Sequence, residues 1–461
     1  MKKIKYNIIL SGFVFSLFIS SCKKFVDIEP APNIITTDVI FNDDKVALTA
    51  VNGVYLQMRN SNSQLFNSSL SVLGGLLADE IYNITSNANF DPFLTNSLLS
   101  TSGDIRSQFW SIAYTTIYRA NAIIEGLNGS TLLTDSVKKQ LTGEMKVVRA
   151  LHYFYMVNLF GDVPLVITTD YQVNAIMPRT PAPQVYEQVI TDLKDAQELL
   201  KSTYPSTGKV RPNRHTATAL LARVYLYMKD WANAEIQATN VISSGTCSLV
   251  TKQNIANTFV KNSTETIWEL TSRNEANNTA EGGQFVPPAT PTTTPPTFAA
   301  TSSLLNAFET GDVRKTNWLG LRATYLYPNK YKARTTATPV TEYNIVFRLA
   351  EQFLIRAEAR AQQNNISGCQ VDLDTIRTRA GLLKTTANTQ ASLLSAIERE
   401  RQVELFAEWG HRWLDLKRTN RADAVLLPVK GTTNWQSTDV LFPIPFNELL
   451  YNPFLTQNPG Y

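Results

Sequence analysis

The sequence predicts a mostly α-helical, partly repeat-like protein, with one long irregular, loop-rich insert and minor β structure. Three observations predict it. Apolar residues recur every three to four positions through several long segments. Arg214 to Ile242 places Ala222, Tyr225 and Ala234 at the small, aromatic and small positions of a tetratricopeptide pair, where two antiparallel helices need close approach and a ring to fill the groove. From about Cys247 to Val346 the helical pattern lapses, and Gly282-Gly283 precedes the run Pro287 to Pro296.

The elements follow in order. Leu141, Met145, Val148, Leu151, Tyr155 and Leu159 share one face of a helix that Thr134 and Asp135 open and Gly161 and Pro164 stop. After Pro183, a second helix carries Val185, Val189, Leu193, Ala196 and Leu199. A third carries Ala217, Leu220, Val224 and Tyr227, and Lys229-Asp230 turns into a fourth from Trp231 to Ile242. Thr266 to Leu270 reads as a small strand. Two more helices are expected, Val346 to Gln363 and Ala391 to Trp409, with Ala357 and Ala361 as poorer repeat positions. The prolines of Leu441 to Tyr461 predict an extended tail across the domain.

The 461 residues, 43% hydrophobic and 18% charged, suit one large globular unit. The basic Met1 to Lys5 and apolar Asn7 to Ile19 read as a signal peptide over 1–21, too short for the roughly 20 residues a bilayer span needs. Ile19-Ser20-Ser21-Cys22 resembles a bacterial lipobox, in which the Cys22 thiol carries the lipid; the alternative is a plain secretory peptide with an incidental cysteine. Removing Lys2, Lys3 and Lys5 takes the formal charge from +4 to near +1, and no basic run with interleaved aromatics argues for nucleic acid. Cys247 and Cys369 show no metal spacing, and whether they pair stays open.

Catalytic constellations are absent from the sequence: no nucleophile elbow, no paired-histidine metal motif and no Walker A loop, with His152, His215 and His411 scattered. No cofactor or metal is expected. The carboxylates Glu398, Glu400, Glu404, Glu408 and Asp415 read as a structural clamp interleaved with Arg401, His411, Arg412 and Arg418. Glu400, Glu404 and Glu408 follow at helical spacing, with Glu408 and Arg412 as an i,i+4 pair. The rival readings are a glycosidase using Glu404 and Glu408, and a tetratricopeptide scaffold that binds no ligand. For ligand contact, two regions mix aromatic faces with polar groups: Asp79, Tyr82, Asn87, Asn89 and Phe90, and Trp318, Arg322 and Tyr325. Trp318 is the first candidate because its neighbours are polar; ordinary packing is the alternative for each.

Five blocks occur in order: Arg149 to Tyr155 with Leu159-Phe160-Gly161-Asp162; Ala222 to Tyr227; Arg348-Leu349-Ala350-Glu351; Ile397 to Arg401 with Gly410-His411-Arg412 and Asp415-Leu416; and Phe442 to Pro445 with Gln457 to Tyr461. Together with the lipobox they resemble the SusD/RagB family. The resemblance implies four tetratricopeptide-like pairs opposite an irregular ligand face, divided as an N-terminal region 22–230 and a C-terminal region 231–461 packed as one unit. It also implies a lipid-anchored outer-membrane protein of Bacteroidota that captures an oligosaccharide or other oligomeric nutrient. A SusC-like TonB-dependent transporter is the implied partner.

Overall fold

The structure is a computed structural model describing residues 40–59, 64–271, 278–334 and 339–461; Cys22 and the leader lie outside the described residues. Twelve helices carry most of the architecture: α1 (Asp44–Met58), α2 (Ser69–Leu77), α3 (Ser111–Gly129), α4 (Asp135–Phe160), α5 (Ala182–Leu199), α6 (Arg214–Tyr227), α7 (Trp231–Ser243), α8 (Leu349–Gln362), α9 (Ile366–Arg379), α10 (Gln390–Leu405), α11 (His411–Arg418) and α12 (Phe446–Tyr451). Local chemistry sets their starts. The Asp43 carboxylate accepts from the Lys45 and Val46 amides at 2.8 and 3.1 Å, and Asn213 and Thr389 close capping boxes on α6 and α10. Gly161, at φ +72°, ends α4.

From α3 to α9 each helix packs on its neighbour in sequence, the arrangement of a repeat-like stack. Ala222 and Tyr225 on α6, Ala234 on α7, and Ala357 and Ala361 on α8 are all buried, as close helix approach requires. One continuous apolar core runs from Phe41 to Ile444. A satellite cluster of Leu354, Ala357, Cys369, Leu373 and Ile397 sits between α8, α9 and α10.

Short strands fall between α7 and α8, and one more between α2 and α3. β1 (Ile81–Asn83) pairs antiparallel with β3 (Phe298–Ala300), matching Ile81 to Ala300. β2 (Thr266–Leu270) pairs with β6 (Asn344–Arg348), and β4 (Leu319–Arg322) with β5 (Tyr325–Pro328). Val346 therefore belongs to a strand, and the expected helix begins only at Leu349; pairing with β2 decides what the short apolar run could not. Similarly α10 stops at Leu405, because Ala407 and Trp409 take φ of +53° and +50°. Glu408 and Trp409 lie in that turn and not on the helix. The tail wraps as expected apart from α12: the Phe442 amide donates to Leu159 O at 2.7 Å, and Asn458 Nδ2 donates to Phe160 O at 2.8 Å.

One crossing depends on two glycines. A Cβ on Gly74 of α2 would stand 2.7 Å from the Cα of Gly410, which itself holds φ +67° before α11. Backbone cannot yield as a side-chain tip can, so Gly74→Ala is expected to destabilise the protein by about 1–3 kcal/mol, read as a lowered denaturant midpoint.

Candidate functional site

Strand pairing brings the two polar–aromatic segments of the sequence onto one face. β1 carries Tyr82 and β5 carries Tyr325; β3 pairs with β1 and packs beside β5, so the two phenols are neighbours. Burial first, and the nearby Tyr325 second, raise the Tyr82 phenol above its ordinary value. Both rings are half-buried, leaving surface for a ligand. Arg322, at the opposite end of the β4–β5 turn from Tyr325 in register, donates from Nη1 to Pro288 O at 3.0 Å and fastens the hairpin to the proline-rich segment.

The loop after β1 is organised by Asp91. Its carboxylate accepts from Ser86 Oγ, from Asn83 Nδ2 at 2.6 Å and from the Asn87 amide at 3.0 Å, and these bonds hold it below the usual carboxylate range. Asn87 Oδ1 takes the Asn89 amide at 2.9 Å, which leaves the Asn87 side-chain NH₂ and the whole exposed Asn89 side chain facing solvent. Phe90 is half-buried, edge-on to Phe298 of β3 at 4.9 Å between centroids, so it supports the loop more than it presents a face.

Two expected contacts are corrected. Trp318 has no exposed surface: it ends a short helix, its Nε1 donates to Ile255 O at 3.0 Å, and its ring lies 4.9 Å from Lys330 Nζ and within 5.9 Å of the Arg348 and Arg379 guanidiniums. It is an internal cation–π platform, not a stacking surface. Asp79 is equally buried, and its carboxylate takes Arg412 Nε at 2.7 Å and Nη2 at 3.0 Å. The i,i+4 pairing expected between Glu408 and Arg412 does not form for that reason. Glu408 instead accepts from Lys330 at 2.5 Å and from Arg348 Nε at 2.8 Å.

The carboxylate set proposed for glycosidase chemistry is sealed inside the same network. Glu404 accepts from Arg314 Nη1 at 2.7 Å, from Arg348 Nη1 at 2.5 Å and from Arg379. Burial alone would raise its pKa, yet Arg379, Arg348 and Arg314 hold it well below the ordinary value, and against the same burial Arg348 and Lys330 lower that of Glu408. A general acid must be protonated and must reach the glycosidic oxygen. Glu404 and Glu408 are buried, ionised and fully paired.

Glu80, beside Asp79, is shifted the other way. Burial first, then the Asp79 charge, pushes its carboxyl up to about 8 against the lowering effect of the Ala407 amide, Arg412 and Lys330. The folded protein therefore holds a proton here that the unfolded chain releases above its ordinary value, so this group's contribution to stability falls as pH rises from about 5 to about 8. Glu80→Gln is expected to flatten the pH dependence by that one group's share, at most about 1.4 kcal/mol per pH unit, in urea melts of variant and parent compared across the window.

A second feature was not read from the sequence. A groove of about 510 Å³ lies between α3, the segment that leaves α4, the short Tyr171–Asn174 helix and α12. Tyr118, Tyr171 and Tyr451 line it and are 50%, 74% and 71% exposed, beside Asn174 and Asn452. Arg106 and Glu448 pair across one end at 2.7 Å. These residues come from three distant segments, so no local pattern announces them.

Other candidates resolve as structure. His152 is buried with Nδ1 on Val148 O at 2.7 Å, and burial pushes its pKa down to about 4. Cys247 and Cys369 are both free thiols. Among the described residues no cluster of His, Cys, Asp or Glu could hold a metal, and no helix is long and apolar enough to cross a membrane.

Paired helices stacked in sequence order, with strand-tied loops on one side, place the chain among the helical repeat-scaffold proteins. Residues 24–226 match a family model described as starch-binding associating with outer membrane, and residues 227–461 match the model of the SusD family. The chain belongs to the SusD family. Among curated relatives, SusD-like proteins P2 and P25 of Formosa agariphila are 27% and 25% identical, each aligned over all of both chains. Among solved structures, a SusD superfamily protein from Bacteroides vulgatus matches with a TM-score of 0.78 at 20% identity, over 92% of this chain and 100% of that one. A laminarin-binding SusD-like protein matches with a TM-score of 0.75 at 24% identity, over 91% of this chain and 100% of that one.

Proposed function

We propose that this protein is a cell-surface lipoprotein, anchored through Cys22 in the outer membrane, that captures a glycan and passes it to a SusC-like TonB-dependent transporter without chemically altering it. The observation that carries the reading is the grouping of Tyr82, Tyr325 and Arg322 on one strand-tied face, with Asn87 and Asn89 exposed on the loop that leaves β1. Aromatic faces there can cover the apolar side of a sugar ring while amides and a guanidinium meet its hydroxyls. The sealed Glu404–Glu408 network argues against hydrolysis. The laminarin-binding relative and the family's outer-membrane description support the ligand class and location.

The test is a glycan array probed with the purified protein, combined with affinity purification from native membranes. Binding of one glycan class without its turnover, and recovery of a TonB-dependent transporter, are expected. Hydrolysis of the bound glycan, or recovery of no transporter, would contradict the reading.

A second reading places the glycan in the tyrosine groove, favoured by the three exposed rings of Tyr118, Tyr171 and Tyr451. Substitutions on the two faces separate these readings, as set out below.

A further inference from the structure

The segments that frame the tyrosine groove are tied to one another. Tyr114 on α3 donates to Pro164 O at 2.9 Å, Asn452 Nδ2 to Met177 O at 2.8 Å, and the Phe446 amide to Ser100 O at 2.8 Å, while Arg106 pairs with Glu448. Besides Tyr118, Tyr171 and Tyr451, they expose Leu99, Ile167, Val173, Ile176, Leu450 and Phe454, about half of the large apolar side chains that the described residues expose. That is on the order of 1,000 Å² of surface, above the roughly 300–600 Å² patch of an ordinary monomer and close to the ~800 Å² one partner buries in a stable interface. Arg106 and Trp110 reach the groove from a π-helical turn, Ile105–Trp110, a rare geometry that recurs at functional sites.

We propose that this face docks the protein onto its membrane-embedded transporter, with an aliphatic or aromatic side chain of the partner seated among Tyr118, Tyr171 and Tyr451. The inference rests on the transporter reading above and names the surface that reading leaves open. Tyrosines with Arg106, Glu448, Asn174 and Asn452 beside them have the aromatic centre and polar rim of a protein interface. A groove of this size takes a protruding anchor side chain, which a fluid bilayer does not present. A helix face that lies on lipid is also rich in lysine and arginine, and neither the Tyr171–Asn174 helix nor α12 has any. The position suits an anchored protein. Tyr118 also lines a shallow recess with Ile40, where the described chain begins, and from Cys22 to Ile40 the chain spans at most about 60 Å.

The experiment expresses tagged full-length protein in the native cell and quantifies, by mass spectrometry, the transporter recovered from detergent-solubilised membranes. Tyr171→Ser, Tyr451→Ser is expected to recover less by about tenfold or more with its thermal melt unchanged, since both rings are mostly exposed. Val371→Ser, Leu383→Ser, the same kind of change at exposed positions on and just after α9, is expected to recover as much as the parent. Undiminished recovery by the tyrosine variant would overturn the docking face and leave the transporter reading standing. Recovery of no transporter by the parent would overturn that reading and this inference with it. The purified Cys22→Ser form, which carries no lipid, is expected to stay off phosphatidylethanolamine–phosphatidylglycerol vesicles in flotation and to sediment as a monomer. Vesicle binding or dimerisation abolished by the same tyrosine substitutions would give the face to the bilayer or to a second copy, and overturn the inference.

Discussion

Glu404→Ala is expected to lower the stability of the protein by about 3–5 kcal/mol, or to prevent it from folding. The carboxylate is the shared acceptor of Arg314, Arg348 and Arg379, contributed by the Val313–Trp318 helix, β6 and α9. Removing it leaves three buried guanidiniums repelling one another, with Glu265, Glu400, Glu408 and Asp312 as their remaining anions. Glu404→Gln keeps the shape and one acceptor oxygen, and is expected to cost less than alanine while still weakening the network. Denaturant unfolding measures both. A near-neutral Glu404→Ala, within about 0.5 kcal/mol, would mean that the clamp does not hold these elements together.

Trp318→Ala is the second large effect, about 3–5 kcal/mol. The change empties a fully buried site and removes the ring that Lys330, Arg348 and Arg379 face, together with the Nε1 bond to Ile255 O. Trp318→Phe restores a π face without the indole N–H and is expected to recover part of the loss. The diagnostic readout is the relation between folding and binding. Glycan affinity should fall only in step with the folded fraction, because the indole has no surface to offer. An alanine variant that melts like the parent yet no longer binds would return Trp318 to the ligand face.

These two residues show where sequence reasoning succeeds and where it stops. The periodicity of Leu141 to Leu159 and the small–aromatic–small spacing of Ala222, Tyr225 and Ala234 are local signals, and local signals fix helices and their close packing. Strand or helix at Val346 was decided by Thr266 to Leu270, which lies outside any local window. The spacing of Glu400, Glu404 and Glu408 suggested one continuous helix, but positive φ at Ala407 and Trp409 turned Glu408 away with no glycine before Gly410 to signal it. Trp318 was the first ligand candidate because its sequence neighbours are polar, yet it is buried, and Arg314 nearby is a buried cation that the network neutralises. Asp79 offered no hint of its partner, since Arg412 is 333 residues further along the chain.

The candidate face was legible as two separate segments, not as one surface. Nothing between Tyr82 and Tyr325 in the sequence indicates that β3 will bring them together. The tyrosine groove was illegible for the same reason, since α3, the Tyr171–Asn174 turn and α12 each contribute one exposed ring.

Capture of glycan on the loop-built face is tested most directly by titrating the array-identified glycan into Tyr82→Ala, Tyr325→Ala double-variant protein, with Tyr171→Ala, Tyr451→Ala as the comparison and a thermal melt of each. The first pair is expected to weaken binding by about tenfold or more with its melt unchanged, and the second to bind like the parent. Full affinity in the first pair, with loss in the second, would contradict the loop-face site and move the glycan to the groove.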